Sequence, residues 1–290
     1  MENLQPFLDL IQHAYPELKI ESAEYDRSGQ YNHVLLINRE LIFRFPRYAE
    51  GVAVLTRETA ILDAIRTHVP LPVPHFVYHS PEHASAGEMF VGYRRISGQL
   101  LRGETLASIQ DIPSIRRIAL QIAGFMRALH GVPVLAVQHD LPLEDTRQSW
   151  EQRYAEFRDL LYPFMRIDAR IQVTTHFERY FDDSDLHEFE PCLRHGDLGP
   201  GNVLYDPETH RVSGVIDFGS AGLGDPAVDV AAASCFGEAF MQYYPEAYPH
   251  LEHLTERARF IKGTYALEEA LHGIKHNDRA AFEAGMAQYI

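Results

Sequence analysis

The chain has 290 residues, 46% of them hydrophobic, and a formal net charge of −15. That length builds one large domain or two lobes around a cleft. The acidity argues against nucleic acid or an anionic membrane as partner, because both need a basic face; it suits a cationic ligand, and equally plain solubility.

No stretch approaches the roughly 20 apolar residues of a membrane helix. Met1 to Leu10 lacks the basic cluster of a secretory signal. Cys192 and Cys235 are the only cysteines, so no disulfide framework is implied and a cytoplasmic protein is expected.

The first third reads as β-rich with one long helix. Residues 33–37 and 41–45 are short apolar runs around Asn38-Arg39-Glu40, a hairpin signal that Pro46 closes. A helix is expected from Gly51 to Thr67, with Val54, Leu55, Ile61, Leu62 and Ile65 near one face. The prolines at 70, 72 and 74 stop it, and strands are expected at 75–79 and 88–96.

After a short link near 92–98 the pattern turns helical. Ile115, Ile118, Ile122, Phe125 and Leu129 form a buried stripe. Further helices are expected at 148–161, 170–189, 226–245, 251–275 and 279–289. Between them lies a Gly/Asp-rich section, 194–225, with short strands at 202–205 and 212–217. The expected fold is α+β, with a small β-rich lobe (1–96), a larger helical lobe (97–290) and a ligand cleft between them.

The chemistry concentrates in Leu193-Arg194-His195-Gly196-Asp197-Leu198-Gly199-Pro200-Gly201-Asn202, followed by Ile216-Asp217-Phe218-Gly219. Asp197 and Asn202 flank a tight Gly/Pro turn, and a hairpin around residues 206–209 returns Asp217 to the same end. Three oxygen-bearing side chains, two of them carboxylates, then converge in the ligand set that Mg²⁺ prefers. The spacing matches the kinase signature H-x-D-x-x-x-x-N with a following D-F-G. In that chemistry Asp197 orients the acceptor hydroxyl and takes its proton, Asn202 and Asp217 hold Mg²⁺ against the phosphates, and His195 shapes the loop.

With these residues the chain resembles the aminoglycoside phosphotransferase family, a kinase-like group of antibiotic and small-molecule kinases, over nearly its whole length. Gly196 stands where protein kinases usually carry Arg, and Asp225-Pro226 with Asp229 resembles the family's segment after the D-F-G. Phe43-Arg44-Phe45-Pro46-Arg47, Arg57-Glu58 and Phe90-Val91-Gly92-Tyr93 leading to Ile96-Ser97-Gly98 resemble the 2''-phosphotransferase branch. The resemblance implies a two-lobed protein-kinase-like fold. It also implies transfer of the γ-phosphate of ATP or GTP to a hydroxyl of a small molecule, with an aminoglycoside as the leading acceptor. A macrolide, an amino sugar or a metabolite alcohol is the alternative acceptor, and a nucleotide-binding protein with little catalysis is the alternative class.

The chain departs from the pattern at the phosphate clamp. Its lysines are Lys19, Lys262 and Lys275 alone, so Arg44 stands where the family places a lysine, with Glu58 as its natural partner. Arginine keeps the charge but is planar and longer. The loop before the second strand holds a single glycine, Gly29, and Ser28 is its candidate phosphate donor. By resemblance Met89, Phe90 and Val91 belong to the hinge that holds the base.

For a polycationic acceptor the candidate carboxylates are Glu238, Glu268 and Glu269. Two histidine groups, His75/His79/His83 and His272/His276, are set aside as metal sites because neither assembles three ligands on one face. Trp150 is read as core.

Overall fold

The structure is a computed structural model that describes residues 4–26, 32–81, 84, 87–137 and 139–290. Its first part holds α1 (Gln5–Ala14), β1 (Ala23–Asp26), β2 (Asn32–Ile37), β3 (Leu41–Pro46), α2 (Ala49–Ile65), β4 (Phe76–His79) and β5 (Val91–Arg94). The strands form one five-stranded antiparallel sheet in the order β1-β2-β3-β5-β4. Side chains alternate across it. Leu35, Ile37, Phe43 and Phe45 therefore face a small core with Ile11 of α1 and Phe90, while Val34, Ile42 and Arg44 face the cleft.

The β2–β3 turn carries positive φ at Asn38 (51°) and Arg39 (58°). Asn38 Oδ1 accepts from the Glu21 and Ser22 N–H groups at 2.7 and 3.1 Å, tying the chain before β1 to the turn.

Helix α2 buries Leu55, Glu58, Ile61, Leu62 and Ile65; Val54, expected on that face, is half-buried and borders the cleft. The apolar face of α2 joins the larger core of the second part.

That part begins with β6 (Gln99–Leu100), α3 (Gly103–Ser108), α4 (Ile112–His130), α5 (Arg147–Leu160) and α6 (Ile167–Asp182). Asp111 caps α4 by accepting from the Ser114 N–H at 3.0 Å, and Ile118, Ile122, Phe125 and Leu129 are buried along it. Next come β7 (Cys192–Arg194), β8 (Val203–Asp206), β9 (Arg211–Val215) and β10 (Gly222–Gly224). β8 pairs with β6 and β9, and β7 with β10.

The chain ends in α7 (Ala227–Ala233), α8 (Glu238–Met241), α9 (Tyr244–Ala247), α10 (Thr255–Lys275) and α11 (Arg279–Met286). The single helix expected at 226–245 is thus three short ones. Gly237 takes φ 96°, a left-handed value that ends a helix, and Pro245 opens α9, where no continuing helix could use it. Among the described residues no helix is long and apolar enough to cross a membrane.

Candidate active site

Strand β7 delivers the loop His195–Asn202 into the cleft between the sheet and the helices. His195 is fully buried: its Nε2–H donates to the Ile216 carbonyl at 3.1 Å, and its Nδ1 accepts from the Asp197 N–H at 3.2 Å. The ring therefore sets the loop's shape. Asp229, buried in the first turn of α7, accepts from the N–H groups of His195 (2.9 Å) and Gly196 (2.8 Å) and from His130 Nε2 (2.9 Å). Burial alone would raise its carboxyl; the bond and charge of His130 with those of His195 overturn that and hold it below the ordinary range.

Gly196 adopts φ 84°, and a Cβ there would lie 2.2 Å from the Ser220 carbonyl oxygen and 2.6 Å from Arg194 Nη1. Arg194 donates to Ser220 O (2.8 Å), Asp145 Oδ2 (2.6 Å) and Glu144 Oε2 (2.6 Å). Its guanidinium fills the room a side chain at 196 would take.

Asn202 Nδ2 donates to Asp197 Oδ2 at 2.7 Å and to Asp197 O at 2.9 Å. Asp197 Oδ1 and Asn202 Oδ1 accept no hydrogen bond from any described residue. Burial pushes the Asp197 carboxyl above the usual range, opposed by His195 and the Asn202 amide.

Asp217 follows β9 in a left-handed conformation (φ 64°, ψ 71°), and its side chain, 59% exposed, lies 3.5 Å from Arg44 Nη2. Arg44 Nη1 donates to Glu58 Oε1 at 2.6 Å, and the same oxygen accepts the Phe218 N–H at 3.2 Å. Burial works against the Arg44 charge, but Glu58 and Asp217 more than offset it, so the guanidinium stays protonated. Asn202 Oδ1 and the Asp217 carboxylate are hard oxygen donors opening on one space, a set that fits a small divalent cation.

The cleft measures about 1260 Å³. Val34 and Ile42 from the sheet, with Leu204 and Ile216 from β8 and beyond β9, enclose an apolar slot next to Tyr93 and Ile96. Burial pushes the Tyr93 phenol up to about 12, with Arg44 opposing. The far wall carries Trp150 and Arg153 of α5 and Tyr265 and Glu268 of α10.

Residues 22–260 match the model of the phosphotransferase enzyme family. The chain belongs to this family. Viomycin phosphotransferase of Streptomyces vinaceus is 26% identical over 274 residues, covering 90% of this chain and 90% of that protein. An aminoglycoside 3'-phosphotransferase of Streptomyces ribosidificus is 43% identical over 161 residues, 49% of this chain and 57% of that protein. Among solved structures, the GDP and kanamycin complex of APH(2'')-IIIa matches with a TM-score of 0.89 at 27% identity, covering 98% of this chain and 97% of that one. The architecture described above is thus the two-lobed, kinase-like one.

In this phosphotransferase Asp197, Asn202, Asp217, Arg44 and Glu58 come together at one place, although they span residues 44 to 217. The hinge assignment needs correction. Met89, Phe90 and Val91 do not line the cleft. Phe90 packs on Phe43 and Phe45 at ring distances of 5.8 and 5.3 Å, and Val91, paired with Arg44, lies in the core. An apolar strand is support, so the chain reaches the cleft only at its far end, from Tyr93 to Ile96. Glu238 is exposed at the start of α8 outside the cleft, and Glu269 also lies outside it. Neighbours on a helix diverge by about 100°, so Glu268 alone of that pair reaches the cleft. Ser28 and His83 fall outside the described residues.

The partners of other site residues are set by contacts distant in sequence. Arg57 of α2 donates to Glu144 Oε1 at 3.0 Å, across the cleft and 87 residues away. Trp150 packs edge-on against Phe260 at 5.0 Å, as a core residue would, and also borders the cleft. Its i, i+3 spacing with Arg153, like that of Tyr265 with Glu268, is the one available clue. Among the described residues, the group of His, Cys and carboxylates close enough to share an ion is His250, Glu252 and His253, all exposed and away from the cleft.

Proposed function

We propose that this phosphotransferase moves the γ-phosphate of ATP or GTP onto a hydroxyl of an aminoglycoside in the cytoplasm, with Asp197 as the base. The carrying observation is that, among the described residues, Asp197 keeps one carboxylate oxygen unbonded while Asn202 holds the other, beside Asp217 and Arg44. Residues 1–96 hold the nucleotide, with its base in the slot of Val34, Ile42, Leu204 and Ile216 and Arg44 at its phosphates. Residues 97–290 supply the catalytic loop and the acceptor wall. The solved relative bound to GDP and kanamycin supports both the donor and the acceptor class.

The acceptor hydroxyl is oriented by Asp197 Oδ1. Its oxygen bonds to the γ-phosphorus as the bond from that phosphorus to the β–γ bridging oxygen breaks. The proton passes to Asp197 and the nucleoside diphosphate leaves. Positioning and charge neutralisation do most of the work in such a transfer. A Mg²⁺ ion held by Asn202 and Asp217 would neutralise charge on the phosphate oxygens. Arg44, kept in place by Glu58, adds a fixed positive charge.

The test is nucleoside triphosphate consumption with Mg²⁺ across kanamycin, gentamicin and streptomycin, with ATP and GTP side by side and Asp197→Ala as control. Acceptor-dependent consumption that the variant lacks is expected. Consumption that persists in Asp197→Ala overturns the role of Asp197, and silence with every aminoglycoside overturns the acceptor class.

A further inference from the structure

Helices α5 and α10 face each other across the far wall of the cleft. Trp150 and Arg153 share one face of α5, and Tyr265 and Glu268 one face of α10, each three residues apart. Asp197 lines the same cleft, and Glu268 stands about one helical turn, roughly 5 Å, along α10 from Tyr265. Arg153 Nε reaches Glu268 Oε1 at 3.2 Å, Arg153 Nη1 reaches Glu156 Oε2 at 2.9 Å, and Lys275 Nζ reaches Glu156 Oε1 at 2.8 Å. The four charges alternate in sign and cancel.

The neighbouring carboxylates are engaged in the same way. Glu144 is held by Arg57 and Arg194, and Asp145 by Arg194. Despite a chain charge of −15, as many arginines as carboxylates line the cleft among the described residues. Among the described residues, Glu268, Glu144 and Asp145 each meet a cationic acceptor with an arginine already bound. Arg153 and Glu268 keep side-chain exposures of 39% and 37%, so a ligand can touch both. An ammonium that took Glu268 would leave Arg153 with Glu156 alone, a carboxylate already shared with Lys275.

We propose that Arg153 is a specificity residue for the acceptor: its guanidinium occupies the Glu268 carboxylate, so the enzyme prefers an aminoglycoside that places a hydroxyl, and not an ammonium, at that point. A hydroxyl oxygen there accepts from Arg153 without breaking the ion pair. The inference rests on the aminoglycoside reading of the acceptor site.

Trp150 is the single tryptophan of the chain and lies one turn before Arg153, so its fluorescence reports binding at this wall without turnover. The probes are matched aminoglycoside pairs that differ only by an amine or a hydroxyl, at successive ring positions. Each is titrated into the full-length wild type, Arg153→Ala, Arg153→Lys and Arg153→Ala/Glu268→Gln; Arg153→Gln replaces the alanine variant if that one is unstable.

In at least one pair the wild type is expected to favour the hydroxyl member. Arg153→Ala should move the ratio of dissociation constants about five- to tenfold toward the amine, the change expected from one charge-assisted contact. Arg153→Lys should keep the wild-type preference, and the double variant should return toward it. An unchanged ratio in every pair, an equal weakening of both members, or no fluorescence response from any protein overturns the proposal. Failure of the phosphotransfer reading is separate: it appears as absent nucleotide consumption while the binding preference persists.

Discussion

The guanidinium of Arg194 occupies the space that a side chain at position 196 would need, and it spends that position bonding Ser220 O, Asp145 and Glu144. Glycine at 196 is therefore a requirement of packing as well as of its φ of 84°. Gly196→Ala should destabilise the protein by about 2–4 kcal/mol, because the nearest atom is a backbone oxygen that cannot rotate away. Turnover should fall at least tenfold, since Asp197 is the next residue. Urea unfolding and a turnover assay on the same preparation check both, and a variant with wild-type stability would contradict the packing account.

Asn202 steadies Asp197 through its amide, and in the proposed reaction its oxygen would also help hold Mg²⁺. In Asn202→Ala the amide that favours the charged form of Asp197 is gone, so the carboxyl should rise further above its ordinary range. If Asp197 is the proposed base, it must be unprotonated to accept the hydroxyl proton, so turnover should be lost as pH falls through that value. The acid limb of kcat/KM should therefore move to higher pH in Asn202→Ala than in the wild type, and kcat should fall by about 10²-fold or more. An acid limb at the same pH in both proteins would remove Asn202 from the protonation of Asp197.

The Arg44–Glu58 pair is buried, and removing one partner strands the other. Glu58→Ala should cost about 3 kcal/mol, the low end for a broken buried pair because Asp217 remains 3.5 Å from Arg44. A fall of the urea midpoint at unchanged slope reports it. Arg44→Lys keeps the charge but cannot bond Glu58 and reach Asp217 through two separate nitrogens, so kcat/KM should drop about tenfold. A rise in activity would instead mean that the arginine is a tolerated departure.

His176 of α6 stacks on Phe260 at 4.9 Å and bonds the Phe260 carbonyl through Nε2 at 3.0 Å. Burial holds its imidazolium pKa below the usual 6.5. The unfolded chain then binds a proton before the folded one does, so stability falls as pH drops below about 6.5 and is unaffected well above it. His176→Gln should lose less stability than the wild type between pH 7.5 and 5.5. Parallel losses in chemical denaturation at the two pH values would show that burial of this ring does not couple to folding.

Legibility in the sequence followed the range of the interactions. The β2–β3 hairpin, α2 and the loop from Arg194 to Asn202 carry local signals within a few residues: short apolar runs, Pro46, helical spacing and a Gly/Pro-rich turn. The convergence of Asp197, Asn202 and Asp217 could thus be read from the sequence, because one hairpin joins them. The hinge assignment of Met89, Phe90 and Val91 rests on resemblance alone, since an apolar strand reads alike whether it contacts a ligand or supports the residues that do.

Only the tertiary structure decided the walls of the cleft. Arg57 meets Glu144 from 87 residues away, and the Phe218 N–H finds Glu58 from 160 residues away. Arg153 meets Glu268 because α5 and α10 pack together. No periodicity encodes such pairs; they exist because burying the apolar faces of separate helices brings their charged edges into register. The charge of −15 was plain in the sequence, but which carboxylates stand free and which are held by an arginine was settled by packing.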